Sequence, residues 1–319
     1  MNTQLVTGLH HVTALADDAQ KNVDFYAGML GLRMVKKTIN FDAPDVYHLY
    51  YGNETGSPGT IMTFFPFPGM VKGRHGKGQM TVTSFSVPDT SLDYWLKRLK
   101  KFNIKHTEPQ KRFEDEVFVY FEDAHGLGLE LVFNKGDKRP GFSYGQIPIE
   151  HAVKGFYGVV LSEEGYERTA GLLLEGMDHK LLIEKGNRFR YSASGEPGDF
   201  VDILWTPEST RGLGGGGTIH HLAFATPDDN TQLEAREKLL SKGYHVTPVM
   251  DRQYFHSIYF REPGGILFEI ATNPPGFAID EAPAALGESL KLPPWYEKSR
   301  DKIEKGLQPI KVQTDKFMD

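Results

Sequence analysis

GLHHVTALADDAQKNVDFYAGMLGL, residues 8–32, holds the pattern on which the fold turns. It opens with about six residues of strand character around a double histidine, passes an Asp-rich turn, and enters an amphipathic stretch of roughly ten residues closed near Gly31. The same order returns in TIHHLAFATPDDNTQLEAREKLLSKGY, residues 218–244, closed near Gly243. Behind the first helix come LRMVKKTINF (32–41), VYHLYYG (46–52) and TIMTFFPF (60–67), three runs of strand composition separated by Asp, Pro and Gly. Behind the second come YHVTPVMDR (244–252), FHSIYFREPGG (255–265) and ILFEIAT (266–272), with Pro263, Gly264 and Gly265 marking a tight turn. Each unit therefore reads as strand, helix, then three strands.

Two further copies fit between these. QMTVTSFSVPDTSLDYWLKRLKKFNI (79–104) begins one that ends in VFVYFEDAHGLGLELVF (117–133). VKGFYGVVLSEEGYERTAGLLLEGM (153–177) begins another that ends in FVDILW (200–205). The four modules span 8–67, 78–133, 154–205 and 217–272. A repeat of that period implies units that bury their apolar faces against one another. NKGDKRPGFSYGQIPIE (134–150) is the expected domain boundary, giving an N-terminal domain over 1–138, a C-terminal domain over 150–275 and an extension over 276–319. The extension, with its short helical stretch EAPAALGESL, is expected to pack as decoration and not as a fifth unit. The fold class is α+β, with mixed curved sheets and helices on the outside.

The 319 residues suffice for two ordinary domains. Phe and Tyr supply 35 of 38 aromatics, which suits strands and a lined cavity better than a helical bundle. The net charge of -6 is spread without a basic block, so no nucleic-acid partner is expected. The start lacks the basic and apolar regions of a signal peptide, and no apolar run is long enough to span a membrane. With no cysteine, thiolate ligands and thiol nucleophiles are excluded. The expected compartment is the cytoplasm. The GLGGGG run at 212–217 lacks a phosphate-binding lysine and reads as a flexible approach to the fourth unit.

Successive strand residues point to opposite faces, so each histidine pair should give one ligand and one residue directed elsewhere. Glu269 sits among apolar neighbours in GILFEIAT, where an unpaired buried carboxylate would be costly and coordination is a natural remedy. Spacing offers an internal check, because 48 residues separate His221 from Glu269 and also Val82 from Glu130. The second unit thus keeps an acid but has Val82 for the histidine, and the third has Gly158 and, near the acidic position, Asp202. The first has His11 but Thr63 where its acid would fall. Together His11, His221 and Glu269 make a divalent-metal set with open positions, a donor combination used by Fe(II) and also acceptable to Mn(II) or Zn(II).

GLHHVT (8–13), TIHHLA (218–223), the span from Arg252 to Tyr259, and FREPGGILFE (260–269) closely resemble the glyoxalase/bleomycin resistance/dioxygenase superfamily, also called vicinal oxygen chelate. Within it the chain is most similar to the hydroquinone-type ring-cleaving dioxygenases, over about residues 6–275. The resemblance implies four βαβββ modules in two domains and an iron site assembled between the first and last modules. It also implies that His10, Thr13, His220, Arg252 and Tyr259 line or support the pocket. Arg252 would neutralise a phenolate or carboxylate on the ring, Tyr259 would donate a hydrogen bond to a bound oxygen, and His220 or His10 would shuttle a proton. The implied reaction is cleavage of a hydroquinone- or catechol-type ring by O2, with both oxygen atoms inserted, Fe(II) as cofactor, and a small aromatic and O2 as the partners. Two alternatives stay open: a glyoxalase-like lyase or isomerase using Zn, Ni or Mn, and a protein that binds an aromatic or antibiotic without turning it over. Edge strands of such sheets permit either a homo-oligomer or coverage by the C-terminal tail.

Overall fold

The computed structural model describes residues 4–143 and 145–318; Tyr144, within the expected linker, lies outside the described residues. The first unit comprises β1 (Gly8–Ala16), α1 (Ala19–Val23), β2 (Arg33–Asn40), β3 (Ala43–Gly52) and β4 (Ile61–Pro66). The second comprises β5 (Gln79–Pro88), α2 (Leu92–Lys101), β6 (Gln110–Arg112), β7 (Glu116–Glu122) and β8 (Gly128–Asn134). The third comprises β9 (Gly155–Glu163), α3 (Glu167–Gly171), β10 (Lys180–Lys185), β11 (Arg188–Ser192) and β12 (Phe200–Trp205). The fourth comprises β13 (Ile219–Thr226), α4 (Asp229–Ser241), β14 (Met250–Asp251), β15 (Phe255–Arg261) and β16 (Leu267–Pro275). The architecture is α+β, as the alternation of the sequence implies.

Local chemistry sets the punctuation. Asp18 and Asp228 cap α1 and α4, their side chains accepting from Lys21 N and Thr231 N. α1 continues as a π-helical turn over Asp24–Met29, and Gly31 at φ +69 releases the chain into β2. In the fourth unit the expected strand over 244–252 is reduced to Met250–Asp251, while Thr247 instead exchanges hydrogen bonds with the backbone of Tyr259.

Each of the two sheets has eight strands, in the orders β14-β15-β16-β13-β1-β4-β3-β2 and β10-β11-β12-β9-β5-β8-β7-β6. The first joins units one and four, and the second joins units two and three. Each sheet thus draws one unit from residues 1–138 and one from 150–275, so the sheets group the modules differently from the sequence-based division. The joins are antiparallel, β1 on β13 and β5 on β9, whereas β4 and β16 run parallel to β1 and β13.

Both central joins carry paired bulges. Leu9 and His11 lie opposite consecutive residues, leaving His10 extra, and Thr13 and Ala14 face His221 and Ile219, leaving His220 extra. In the second sheet Thr81 and Tyr157 are the extra residues. The ladders also align Thr63, Glu130 and Asp202 two residues beyond the partners of His11, Val82 and Gly158.

The second sheet closes around a buried ion cluster at this place. Arg112 pairs with Glu116 and Glu130, and Ser84 donates to Glu130 at 2.6 Å. Arg190, 3% exposed, reaches Asp202 at 2.7 Å, Glu116 at 2.5 Å and the Tyr157 hydroxyl at 3.2 Å. Guanidinium groups supply the positive charge that these carboxylates require.

The extension packs on the first and second units. Buried Lys36 pairs with Asp280 and Glu281, each at 2.5 Å, and Arg98 donates to the carbonyl of Phe317 at 2.9 Å. The expected helical stretch over 281–290 is only a 3-10 turn at Pro283–Ala285, cut off before Gly287 at φ +79. The extension's α-helix is α5 (Arg300–Gly306). No helix among the described residues is long and apolar enough to cross a membrane.

Removing Arg190 would leave Asp202 and Glu116 buried without their main cation. Arg190→Ala is expected to destabilise the protein by about 3–5 kcal/mol in urea unfolding. A loss below about 1 kcal/mol would contradict a structural role for the cluster.

Candidate metal centre

β1 and β13 lie side by side, so two histidines 210 positions apart in the chain meet, His11 Nε2 standing 3.1 Å from His221 Nε2. β16, next to β13, brings in Glu269, whose Oε2 lies 3.0 Å from His221 Nε2 and 3.4 Å from His11 Nε2. All three side chains are buried. The site is carried by one sheet, at the seam between units one and four.

The donor set fits a divalent cation. Donors about 2.1 Å from an ion lie about 3.0 Å apart at right angles and about 3.4 Å apart at the tetrahedral angle. The three observed separations fall in that range. Glu269 Oε2 is buried and accepts no hydrogen bond despite the two nearby nitrogens. His11 Nε2, His221 Nε2 and Glu269 Oε2 cluster within 3.4 Å of one another. Burial pushes the Glu269 carboxyl up, but His11 and His221 outweigh it and hold the group well below the ordinary carboxylate range. An ionised, orphaned oxygen among buried imidazoles is what a cation would satisfy. Its other oxygen accepts a hydrogen bond from Ser257.

The bulges decide what the neighbouring histidines do. His10 Nδ1 lies 2.9 Å from His11 Nδ1, and His220 Nδ1 lies 2.8 Å from His221 Nδ1. Clean strand alternation would send His10 and His220 to the opposite face; the extra residue re-aims each ring onto its neighbour. If Nε2 of His11 and His221 bears the metal, their Nδ1 atoms carry the protons and donate. His10 and His220 then accept at Nδ1 and keep their own protons on Nε2.

Beside the triad lies a cavity of about 260 Å³. On one side stand His220, Tyr259 and Arg252, whose Nε donates to the Tyr259 hydroxyl at 3.1 Å. Arg252 also faces Asp42 at 3.5 Å. Burial pushes the Tyr259 hydroxyl up, keeping it a neutral donor. Phe65, Phe255 and Leu267 supply apolar wall. His10 and Thr13 lie behind the cavity. Thr13 Oγ1 bonds to Thr63 Oγ1 at 2.9 Å, so it supports the wall and does not line it.

Among the lining residues that escaped the sequence reading are His48 and Tyr50 on β3. His48 Nε2 lies 2.8 Å from Thr63 Oγ1, and its Nδ1 lies 2.8 Å from the Tyr50 hydroxyl. The alternation of VYHLYYG puts both on one face, a signal present in the sequence, but nothing there says which face meets the metal.

The family model described as the Glyoxalase/Bleomycin resistance protein/Dioxygenase superfamily matches residues 8–131 and 160–270. The Bacillus subtilis (strain 168) protein named "Putative ring-cleaving dioxygenase MhqO" is 48% identical over 96% of this chain and 97% of its own. The chlorohydroquinone/hydroquinone 1,2-dioxygenase of Sphingobium indicum is 33% identical over 93% of this chain and 95% of its own. A crystal structure from Bacillus subtilis, of a protein carrying a provisional dioxygenase name, superposes with a TM-score of 0.93 at 47% identity, covering 98% of this chain and 99% of that one. Glyoxalase I from Zea mays shares the fold at 15% identity and a TM-score of 0.62, covering 83% of this chain and 92% of its own.

Burial, with the adjacent His11, pushes His10 from 6.5 down to about 3. A histidine depressed in the fold takes up its proton only on unfolding. Its contribution is therefore complete above pH 6.5 and is lost as the pH falls toward 3. In metal-free protein, urea unfolding across that window is expected to show a slope larger in the native protein than in His10→Gln by about 1.4 kcal/mol per pH unit. Equal slopes would show that His10 is not held neutral.

Proposed function

Because the chain belongs to the Glyoxalase/Bleomycin resistance protein/Dioxygenase superfamily, we propose that it is a ring-cleaving dioxygenase of hydroquinone- or catechol-type aromatics whose His11, His221 and Glu269 hold Fe(II). The observation that carries this reading is the triad itself: two imidazoles and one carboxylate converging beside an aromatic-lined cavity, with Thr63 where a fourth ligand would stand. Its likeness to the chlorohydroquinone/hydroquinone 1,2-dioxygenase, 33% identical over 93% of this chain, supports the substrate class. When bound, Fe(II) would supply the electronic path between an ionised ring hydroxyl and dioxygen, with both oxygen atoms inserted and a ring carbon–carbon bond broken.

The chain's own residues prepare that chemistry. His10 and His220 hold the two ligand rings in the tautomer that frees Nε2. Ser257 fixes the Glu269 carboxylate from behind. Arg252 neutralises an anionic ring oxygen, and Tyr259, already accepting from Arg252 Nε, has its own hydroxyl hydrogen left to donate. With its proton on Nε2, His220 meets the cavity as a hydrogen-bond donor and not as a base. Phe65, Phe255 and Leu267 exclude water from the ring's edges.

Protein reconstituted anaerobically with ferrous ion is expected to consume oxygen with a substituted hydroquinone and to give a product heavier by two oxygen atoms. His11→Ala and Glu269→Ala are each expected to lose the metal by elemental analysis. The proposal fails if no hydroquinone or catechol in a panel supports uptake by iron-loaded protein. Turnover of methylglyoxal with glutathione instead would move the assignment to an isomerase.

A further inference from the structure

The seam relates the two halves of the first sheet by an approximate twofold, which gives each residue on β15 a counterpart on β3. Tyr259 lies opposite Glu269 in the ladder, and Tyr50 lies opposite Thr63. Ser257, two residues before Tyr259, bonds to Glu269, and His48, two residues before Tyr50, bonds to Thr63. The serine is short and its partner long; the histidine is long and its partner short. Thr63 and Glu269 occupy matching places on either side of the seam, so the two tyrosines approach the metal centre from opposite sides.

Their partners differ in charge. Tyr259 is held by the Arg252 guanidinium, a permanent cation. Tyr50 is held by His48, whose two ring nitrogens are both occupied, one by the Tyr50 hydroxyl and one by Thr63, which in turn bonds Thr13. Burial drives the His48 imidazole well below and the Tyr50 hydroxyl well above their ordinary values, so the dyad is neutral. The chain Tyr50–His48–Thr63–Thr13 can run in either direction. With Tyr50 donating to His48 Nδ1, its oxygen has a lone pair left for a ring hydroxyl. With His48 donating, Tyr50 has a hydrogen left for a ring oxygen. Tyr50 is 2% exposed and lines the cavity, so an unmatched polar tip there would be costly.

Given the proposed ring-cleaving activity, on which this rests, we infer that Tyr50, held in place by His48, binds the ring oxygen that does not reach the metal. The dyad thereby selects rings whose two oxygens stand at opposite ends. A 1,4-diol spans from the metal to Tyr50. A 1,2-diol has both oxygens at the metal end and leaves Tyr50 without a partner. A phenol has no second oxygen at all. Tyr50 touches substrate; His48 acts through it as a positioning residue.

Anaerobic binding to iron-loaded protein tests this without turnover, using hydroquinone, catechol and phenol. Tyr50→Phe is expected to weaken hydroquinone about tenfold, while catechol and phenol stay within about twofold of the native protein. His48→Leu should reproduce that selective loss, and His48→Gln, which restores a donor and an acceptor, should recover part of it. Iron content and melting temperature identify a variant that has merely lost its fold or its metal, and in that case Tyr50→Trp, which also lacks the hydroxyl, is expected to show the same selective loss. Equal weakening of all three ligands, or none, overturns the inference while leaving the proposed activity standing. Failure of the native protein to bind either diol overturns both.

Discussion

Two strands far apart in the chain, β1 and β13, pair antiparallel along the seam of one sheet, and each carries one extra residue in the ladder at its first histidine. That pairing brings His11 and His221 to 3.1 Å. The bulges turn what would be outward-facing rings into partners that hold the ligand rings by Nδ1. A bulge costs ladder hydrogen bonds, and here both strands carry one at matching points, each at the first histidine of its pair. Glu269 depends on the same seam, since β16 is aligned by β13. The cavity walls then follow from the two outer hairpins folding over the seam.

The second sheet shows what the same frame becomes without histidines. Its bulges persist at Thr81 and Tyr157, and its acids persist as Glu130 and Asp202. With Val82 and Gly158 in the ligand places, the buried carboxylates are neutralised by Arg112 and Arg190. One frame therefore meets the same electrostatic need in two ways. In the first sheet the three donors converge on a point, and the carboxylate keeps an oxygen that accepts no hydrogen bond. In the second, hydrogen-bonded ion pairs fill the centre.

The strand-and-helix repeat and the grouping of His11, His221 and Glu269 were legible in the chain, because periodicity depends on local pattern and the 48-residue spacing from His221 to Glu269 recurs from Val82 to Glu130. Which modules share a sheet was not visible. Connection order favours grouping neighbours, whereas the observed sheets join the first module to the fourth and the second to the third. The roles of His10 and His220 required the bulges, which break the alternation that any reading of strands assumes. His48 and Tyr50 were missed for another reason. From Tyr50 to its ladder partner Thr63 is 13 positions, but from Tyr259 to Glu269 it is 10, so unequal hairpin loops hide their equivalence. The tail helix was misplaced because Pro283 and Gly287 limit its first apolar stretch to one turn.

The central claim is that one divalent ion sits on the seam, shared by side chains from the first and last modules. Anomalous diffraction at the iron edge, from crystals loaded with ferrous ion under nitrogen, reads this directly. The expected result is a single strong peak about 2.0–2.3 Å from His11 Nε2, His221 Nε2 and a Glu269 carboxylate oxygen. A peak that leaves out His11, or iron found only at surface carboxylates, would contradict it.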